Sequence, residues 1–506
     1  MLKLYEKKIN TLNRRESENK MKDCFMALRH CCTSTSTQSV PKRVAARAAG
    51  RGASFQESLR VVLAIGQLFA VMPIYGVSSR HSEEVKFVKV SWKCVYTALM
   101  LSGQLFMTLT CVIEVFYADD VMQSITSTVF YGTACLTMVA FAQTARRWPA
   151  LLRFIGRVEE VDPASDGRLV WRCNVTCVII LSMSFSSTVF IGRVEEVDPA
   201  SDGRLVWRCN VTCVIILSMS FLEHLLSILS DVYWANACSP SPVDTQEEFY
   251  RLLYPWIFRS LPYNPLLAVM CQIFHIQATF TWNFSDLFVI CISYYLIRRL
   301  QLVNKKLHAI CGKKYGEGFW RATREQYGRA TQLVRRVDRV ISGVVFISFA
   351  NNLFFICLQL FHTLETGKRG KSVCLHPVPE VQPVAGFITT LYFSFSLVYL
   401  LTRSVSMSLI AAQVHTASTV PAPVLYNVSS SEYCEEVQRF VSQVNGEKVA
   451  LSGLQFFSVT RGLLLTVAGT IVTYELVMFQ INSPGSRNYV TPDPSIVTNI
   501  SSVFST

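Results

Sequence analysis

Charge is what this sequence has least of. Only 16% of its 506 residues are Asp, Glu, Lys or Arg, where an average soluble domain carries roughly 25%. Hydrophobic residues make up 51%, with 32 Phe, so the deficit is not that of a polar, low-complexity chain. Catalytic signatures are missing as well. Gly312-Lys-Lys-Tyr-Gly-Glu-Gly lacks the order of a phosphate-binding loop, and there is no H-E-x-x-H and no G-x-S-x-G. The Cys-x3-Cys pairs Cys173/Cys177 and Cys209/Cys213 lie in apolar runs, where Cys acts as a small hydrophobe and not as a zinc ligand. Residues 1–53 have no apolar core of a signal peptide. These absences exclude a secreted disulfide scaffold, a disordered tail protein and an ordinary cytosolic enzyme. No catalytic residue, cofactor or metal is expected.

What is present is a series of charge-free stretches of about 20 residues, the length that crosses a bilayer. Cys94–Ile113 and Val121–Ala145 form a hairpin over the short Tyr117–Asp120 link. Cys209–Ser230, Leu266–Ile297, Val340–Leu364, Val384–Thr402 and Leu463–Ile481 follow. The sequence therefore predicts an all-α membrane protein with seven transmembrane helices. Val61–Val77 is apolar but short, holds Pro73 and Gly76, and reads as interfacial or re-entrant within residues 54–90.

Lys and Arg placement sets the orientation. Arg298–Arg339 carries 12 basic and 3 acidic residues, and residues 1–53 carry 12 against 4. Both are assigned to the cytosol, the latter as a flexible arm and not a nucleic-acid binder. Residues 146–204, 298–339 and 403–462 become cytosolic segments, and 482–506 an extracellular tail. An intracellular N-terminus and an odd span number leave Asn499-Ile500-Ser501 outside as a glycosylation acceptor. Most of the 17 Cys fall in apolar runs. Cys238 and Cys374 lie in polar outer linkers and are a candidate disulfide.

Phe154–Phe185 and Phe190–Phe221 are the same string, residue for residue, at an offset of 36. Repeat architectures have diverged copies and need about three of them. A recent duplication or a gene-model error accounts for the identity better. The second copy runs into LEHLLSILS and should form the third span. The first should be a surplus helix in the cytosolic linker or against the membrane.

Ionisable residues within spans are costly in lipid and tend to mark cavities or pathways. Glu223 and His224 lie in the outer half of the third span. Gln277, Trp282, Asn283 and Asp286 lie on the fourth, Asn351 and Gln359 on the fifth, and Tyr392 on the sixth. Carboxylates, amides and aromatic faces at one depth suit a polyhydroxylated ligand. Interhelical packing is the plainer alternative. On the last span Thr473, Leu476/Val477 and Gln480 share one helical face, which suits either a pore lining or a helix packed in a bundle.

At this helix the chain resembles a known family. Thr473-Tyr474, five residues, then Gln480 is similar to the C-terminal signature of insect gustatory receptors, with Ile481 where that signature ends in Phe. LSGLQFFSVTRGLLLTVAGTIVTYELVMFQ, PYNPLLAV with QATFTWNFSDLFVICISYYL, ISFANNLFFICLQL, the LEH at Leu222–His224 and AIGQLFAVMPIYGV resemble its sugar-receptor subfamily. The similarity covers most of Ser58–Ile481; one copy of the repeat is surplus to it.

The resemblance implies the insect chemoreceptor channel fold. It implies a ligand-gated, non-selective cation channel at the plasma membrane, built as a homo- or hetero-tetramer around a pore lined by the last helix. The cytosolic helix ends would form an anchor. A sugar would sit in an outer pocket among the second to sixth spans. The implied partners are a sugar, cations, membrane lipid and related receptor subunits, with no nucleic acid. On this chain Thr473, Leu476, Val477 and Gln480 become the pore residues. Glu223, His224, Gln277, Trp282, Asn283, Asp286, Asn351, Gln359 and Tyr392 become the pocket. A G-protein-coupled receptor and a secondary transporter are the alternative readings. The first needs an outside N-terminus and the second diverged inverted repeats.

Overall fold

The computed structural model describes residues 54–77, 79, 84–117, 121–162, 202–238, 245–309, 315–365 and 382–482. Apolar stretches of this length satisfy their backbone groups in lipid only as helices or closed barrels, and here they are helices. In chain order these are α1 (Phe55–Leu68), α2 (Trp92–Val115), α3 (Val121–Val161), α4 (Asp202–Cys238), α5 (Thr245–Leu253) and α6 (Pro255–Phe258). Then come α7 (Pro265–His308), α8 (Glu317–Glu365), α9 (Gln382–Thr419), α10 (Pro421–Tyr426), α11 (Glu435–Gly446) and α12 (Arg461–Asn482). A hairpin of β1 (Ser452–Gly453) and β2 (Phe457–Ser458) precedes α12.

Among the described residues six helices, α2, α3, α4, α7, α8 and α9, are long and apolar enough to cross a membrane. The apolar helix α12 follows them. The helices outrun the apolar stretches that announce them. α7 has 44 residues and α8 has 49, about 66 and 74 Å at 1.5 Å per residue, against a hydrocarbon core of about 30 Å. Their surplus length lies on the basic side. Much of what reads as a linker over 298–339 is thus continuous helix.

α7 is the central element. Its most apolar stretch is 89% buried, against 28% for α2 and α3 and 17% for α4. Asn264 caps its N-terminus, accepting from Leu266 N, ahead of Pro265 at the first helical position. Lys305, Lys306 and His308 fill its last turn, where they complement the helix dipole. α1 is only 14 residues long, about 21 Å, too short to cross. Its face Phe55, Leu59, Val62 and Leu63 is buried against the bundle, and Phe55 meets the Trp148 ring at 5.6 Å. Gly66 permits this approach, since a Cβ there would stand 2.6 Å from the Phe284 ring. The first half of the short apolar segment, to Leu68, is therefore helix wedged beside α7, and residues 69–77 follow it as irregular backbone.

On the basic side, α3, α7, α8 and α9 continue together with α10 and α11 into one core. Arg329 of α8 forks onto Asp162 with bonds of 2.8 and 3.0 Å. Arg324 binds Glu436 of α11 at 2.8 Å. Tyr295 and the Phe55 N–H both donate to Glu159. The β-hairpin is held by Asp338, which accepts from Ser452 N and Ser452 Oγ. Leu454 and Gln455 take positive φ of 48° and 64° in its turn, the conformation that matches strand twist in tight hairpins.

The duplicated string is used in two pieces. Phe154–Asp162, the head of the first copy, completes α3 and supplies Ile155 to the core, the Val158 carbonyl to Arg299, and Glu159 and Asp162 to the bonds above. Asp202–Phe221, the tail of the second copy, begins α4, as expected for the third span. The rest of both copies, the arm of residues 1–53, Cys374 and Asn499 lie outside the described residues.

Candidate functional site

The polar side chains singled out within the spans fall into three groups. The first joins α4, α8 and α9 toward the outer end. Ser396 donates to Glu223 Oε1 at 2.5 Å, and Gln359 Nε2 donates to Ser396 Oγ at 2.9 Å. Ser230 and Thr389 share a hydroxyl bond of 2.7 Å one level further out. His224 stacks on His275 of α7 with centroids 5.5 Å apart. His275 Nδ1 lies 3.0 Å from the Tyr131 hydroxyl of α3. Tyr392 stands on the same side of α9, where its hydroxyl pairs with Ser227 of α4.

The second group lies deeper, at the crossing of α7, α8 and α9. Arg403 Nε stands 2.9 Å from Asp286 Oδ2. Asp286 also accepts from Ser348 and, at 3.0 and 3.1 Å, from Asn352 Nδ2. Arg403 donates to the Asn283 side-chain oxygen, which Tyr399 reaches at 2.8 Å. Trp282 Nε1 donates to Asn352 Oδ1 at 3.0 Å, and the Arg403 guanidinium lies over the Trp282 ring at 4.7 Å. Asn351 turns the other way and accepts from Thr133 of α3 at 3.0 Å.

Gln277 stands apart from both. It accepts from Gln104 of α2 at 2.6 Å and donates to Thr281, the Phe69 carbonyl and Met138 Sδ. It ties α7 to α2, α3 and the end of α1, on the opposite flank from α4 and α9.

Ser396, Tyr399 and Arg403 of α9 join these groups although hydropathy does not mark them. They recur at i, i+3 and i+7 and so share one face of α9. A hydropathy reading ends the span at Thr402 and leaves Arg403 as its basic flank. The helix instead continues to Thr419, which turns that flank into a buried residue facing a carboxylate. Their polar spacing was the available signal.

α9 also touches α12. Leu400 forms a small apolar cluster with Phe355 and Ile356 of α8, and Ile471 of α12 packs against it. Otherwise α12 offers an apolar surface that the described residues leave uncovered: Leu465 is 75% exposed, and Val472, Tyr474 and Val477 are also exposed. Thr473 is exposed and donates to the Gly469 carbonyl of its own helix. Leu476 and Gln480 lie on the same helix, within Arg461–Asn482. The side chains of Cys238, Leu476 and Gln480 fall outside the described residues.

Comparison with known proteins gives a consistent picture. The profile of the trehalose receptor family matches residues 36–189 and 196–489. The gustatory receptor 5a for trehalose of Drosophila melanogaster is 30% identical over 434 residues, covering 85% of each chain. The gustatory receptor for sugar taste 64f of the same fly is 29% identical over 432 residues, covering 85% of this chain and 81% of the relative. Among solved structures, the insect olfactory receptor OR5 from Machilis hrabei, in complex with eugenol, superposes with a TM-score of 0.53 at 15% identity. That match covers 85% of this chain and 98% of OR5.

Proposed function

The chain belongs to the trehalose receptor family, the sugar-taste branch of the insect gustatory receptors, and from that premise we propose that it is a sugar-gated cation channel. Its fold is that of the insect olfactory receptors, which sets aside the G-protein-coupled receptor and the transporter raised by the sequence. It is a multi-pass membrane protein, and the proposed orientation keeps the basic helix ends and the N-terminus in the cytosol at the plasma membrane.

The observation that carries the site assignment is the contrast between two carboxylates. Asp286 faces Arg403 directly, whereas Glu223 is bonded to a hydroxyl, Ser396. Arg403 acts on Glu223 through space, but the bond Glu223 accepts comes from a neutral hydroxyl, and a carboxylate so bonded in a membrane-spanning helix keeps acceptor capacity for vicinal hydroxyls. Glu223, His224, Gln359 and Tyr392 form the pocket in this reading. Trp282, Asn283 and Asp286 form its floor, while Asn351, turned toward Thr133 of α3, and Gln277 on the far flank are packing residues. Individual hydrogen bonds net about 0.5–1.5 kcal/mol, so affinity should be on the order of millimolar.

The gating route follows α9. A sugar that engages Glu223 competes for the Ser396 bond and biases the position of α9. Leu400 passes that bias to Ile471 of α12. Four copies, identical or mixed with related receptors, would cover the bare face of α12 and bring Thr473, Leu476, Val477 and Gln480 to a shared pore. The ligand can bias opening only through a tighter hold on the open state. Whole-cell recording against a sugar panel tests the reading. A cation current evoked by at least one sugar and lowered in sensitivity by Glu223→Gln supports it. A surface-expressed chain, alone and with related receptors, that passes no sugar-evoked current overturns it.

A further inference from the structure

From Leu136 to Arg157 one face of α3 is uncovered by the described residues and changes chemistry part-way. Leu136, Val139, Gln143, Arg146, Arg153 and Arg157 are all exposed, and steps of three, four and seven place them in a single stripe. The stripe is apolar to Val139 and basic from Arg146 onward, with Arg147 beside it. Arg336 of α8 joins its foot, where the guanidinium lies over the Phe154 ring at 4.9 Å.

These arginines differ from their neighbours. Arg324, Arg329 and Arg403 each face a carboxylate at 2.8–2.9 Å. Among the described residues Arg146, Arg147, Arg153 and Arg157 have no acidic partner. Arg153 and Arg157 make only 3.4 Å bonds to carbonyls of their own helix. Four uncompensated guanidinium groups on one exposed flank call for an anion, and Arg is the side chain that grips phosphate with two parallel bonds.

Depth selects the anion. Val121–Ala145 spans about 37 Å, which exceeds the hydrocarbon core of about 30 Å and puts Arg146 and Arg147 in the headgroup layer. That layer is only about 5–7 Å thick on each side. Arg153 stands about 10 Å further along the helix. A phosphodiester alone reaches Arg146 and Arg147. Only a headgroup with further phosphates projecting into the cytosol reaches Arg153 and Arg336 as well.

We propose that this stripe binds a phosphoinositide of the inner leaflet. Its acyl chains lie along Leu136 and Val139, and its phosphates are held by Arg146, Arg147, Arg153 and Arg336. The assignment to the inner leaflet rests on the cytosolic placement of the basic helix ends; binding itself does not depend on the sugar or on the pore.

Native mass spectrometry of the full-length protein in detergent tests it, with dioctanoyl phosphatidylinositol 4,5-bisphosphate, dioctanoyl phosphatidylserine and soluble inositol 1,4,5-trisphosphate as probes. The wild type should retain the bisphosphate lipid in preference to the other two. The triple variant Arg146→Gln/Arg147→Gln/Arg153→Gln should bind it roughly a hundredfold more weakly, and the matching Lys variant, which keeps the charge and loses the paired bonds, should fall between the two. If the triple Gln variant does not fold, Arg153→Glu alone carries the test, because its side chain bonds only within its own helix. Equal retention of phosphatidylserine overturns the headgroup assignment. Equal binding of inositol trisphosphate makes the stripe a free-phosphate site and overturns the lipid. Unchanged binding by the variants, or none by the wild type, overturns the proposal altogether.

Discussion

Arg403 and Asp286 form an ion pair at the centre of the helix bundle, Nε to Oδ2 at 2.9 Å, with side chains 2% and 0% exposed. They lie 117 positions apart in sequence, on α9 and α7. Neither end of the pair stands alone. Ser348 and Asn352 supply Asp286 with donors, and Asn283 gives Arg403 an acceptor. Desolvation makes a buried pair a weak source of net stability, yet removing one partner is severe because the other charge is left uncompensated. The pair therefore fixes how α9 sits on α7 more than it strengthens the bundle.

Arg403→Gln should lower stability by about 3–5 kcal/mol. The double variant Asp286→Asn/Arg403→Gln, which removes both charges and keeps amide hydrogen bonding, should recover most of the loss. Thermal melting followed by size-exclusion chromatography in detergent reads both. Equal damage from the single and double variants would show that packing, and not charge, governs this crossing.

Glu223 and Gln277 separate ligand contact from packing. Glu223→Gln should raise the half-maximal sugar concentration about tenfold or more, since hydrogen bonds to a charged group are worth about 1.5–3 kcal/mol. Gln277→Leu should leave that concentration unchanged. It removes the acceptor for one Gln104 N–H, the other staying on the Phe274 carbonyl, so it should cost about 1–3 kcal/mol of stability. Dose–response curves with surface labelling distinguish the two; a sugar shift in Gln277→Leu moves the pocket to the opposite flank of α7.

Gln480→Ala and Val477→Ala address the pore. Both should alter single-channel conductance or ion selectivity while leaving the half-maximal sugar concentration within about twofold, a shift of under 0.5 kcal/mol. Excised-patch recording is the measurement. Unchanged conductance and selectivity in both variants would remove α12 from the pore.

Excision of residues 166–201 joins Ser165 to Asp202 and, because the two copies are identical, yields the same chain as excision of 155–190. Every contact described for α3 and α4 is kept, since these helices draw on the head of one copy and the tail of the other. The shortened chain should reach the cell surface at least as well as the full one and respond to the same sugars. Surface biotinylation and calcium imaging check this, and loss of surface delivery counts against the surplus-copy reading.

Glu436 gives a pH prediction. Its bond from Arg324, with Arg439 and Arg321 alongside, holds its carboxyl below the usual carboxylate range. A depressed acid contributes its full stability above its unfolded value of about 4.3. The contribution fades as pH falls through the folded value. Glu436→Gln should therefore lower the melting temperature throughout pH 5–7, and the gap to the wild type should close only as pH falls below about 4 and through the folded value.

Low charge and apolar run length alone determined that this chain is a helical membrane protein, because each span must meet its backbone needs within itself. The run of residues through Leu451–Gln480 carried the family, and the continuation of the second copy into LEHLLSILS marked one long helix there. Residue type also marked Glu223, Asn283, Asp286 and Asn351 as unusual, since each is costly in lipid. The tertiary structure decided what each of them does. Polar side chains at one depth can face a ligand or each other, and a one-dimensional string does not say which helices are neighbours. Only the crossing of α7 with α9 turned Arg403 from a basic flank into the partner of Asp286. Only the packing of α2 against α7 separated Gln277 from the other pocket candidates. The sequence sets periodicity and cost along one helix; who meets whom is settled by contacts more than a hundred residues apart.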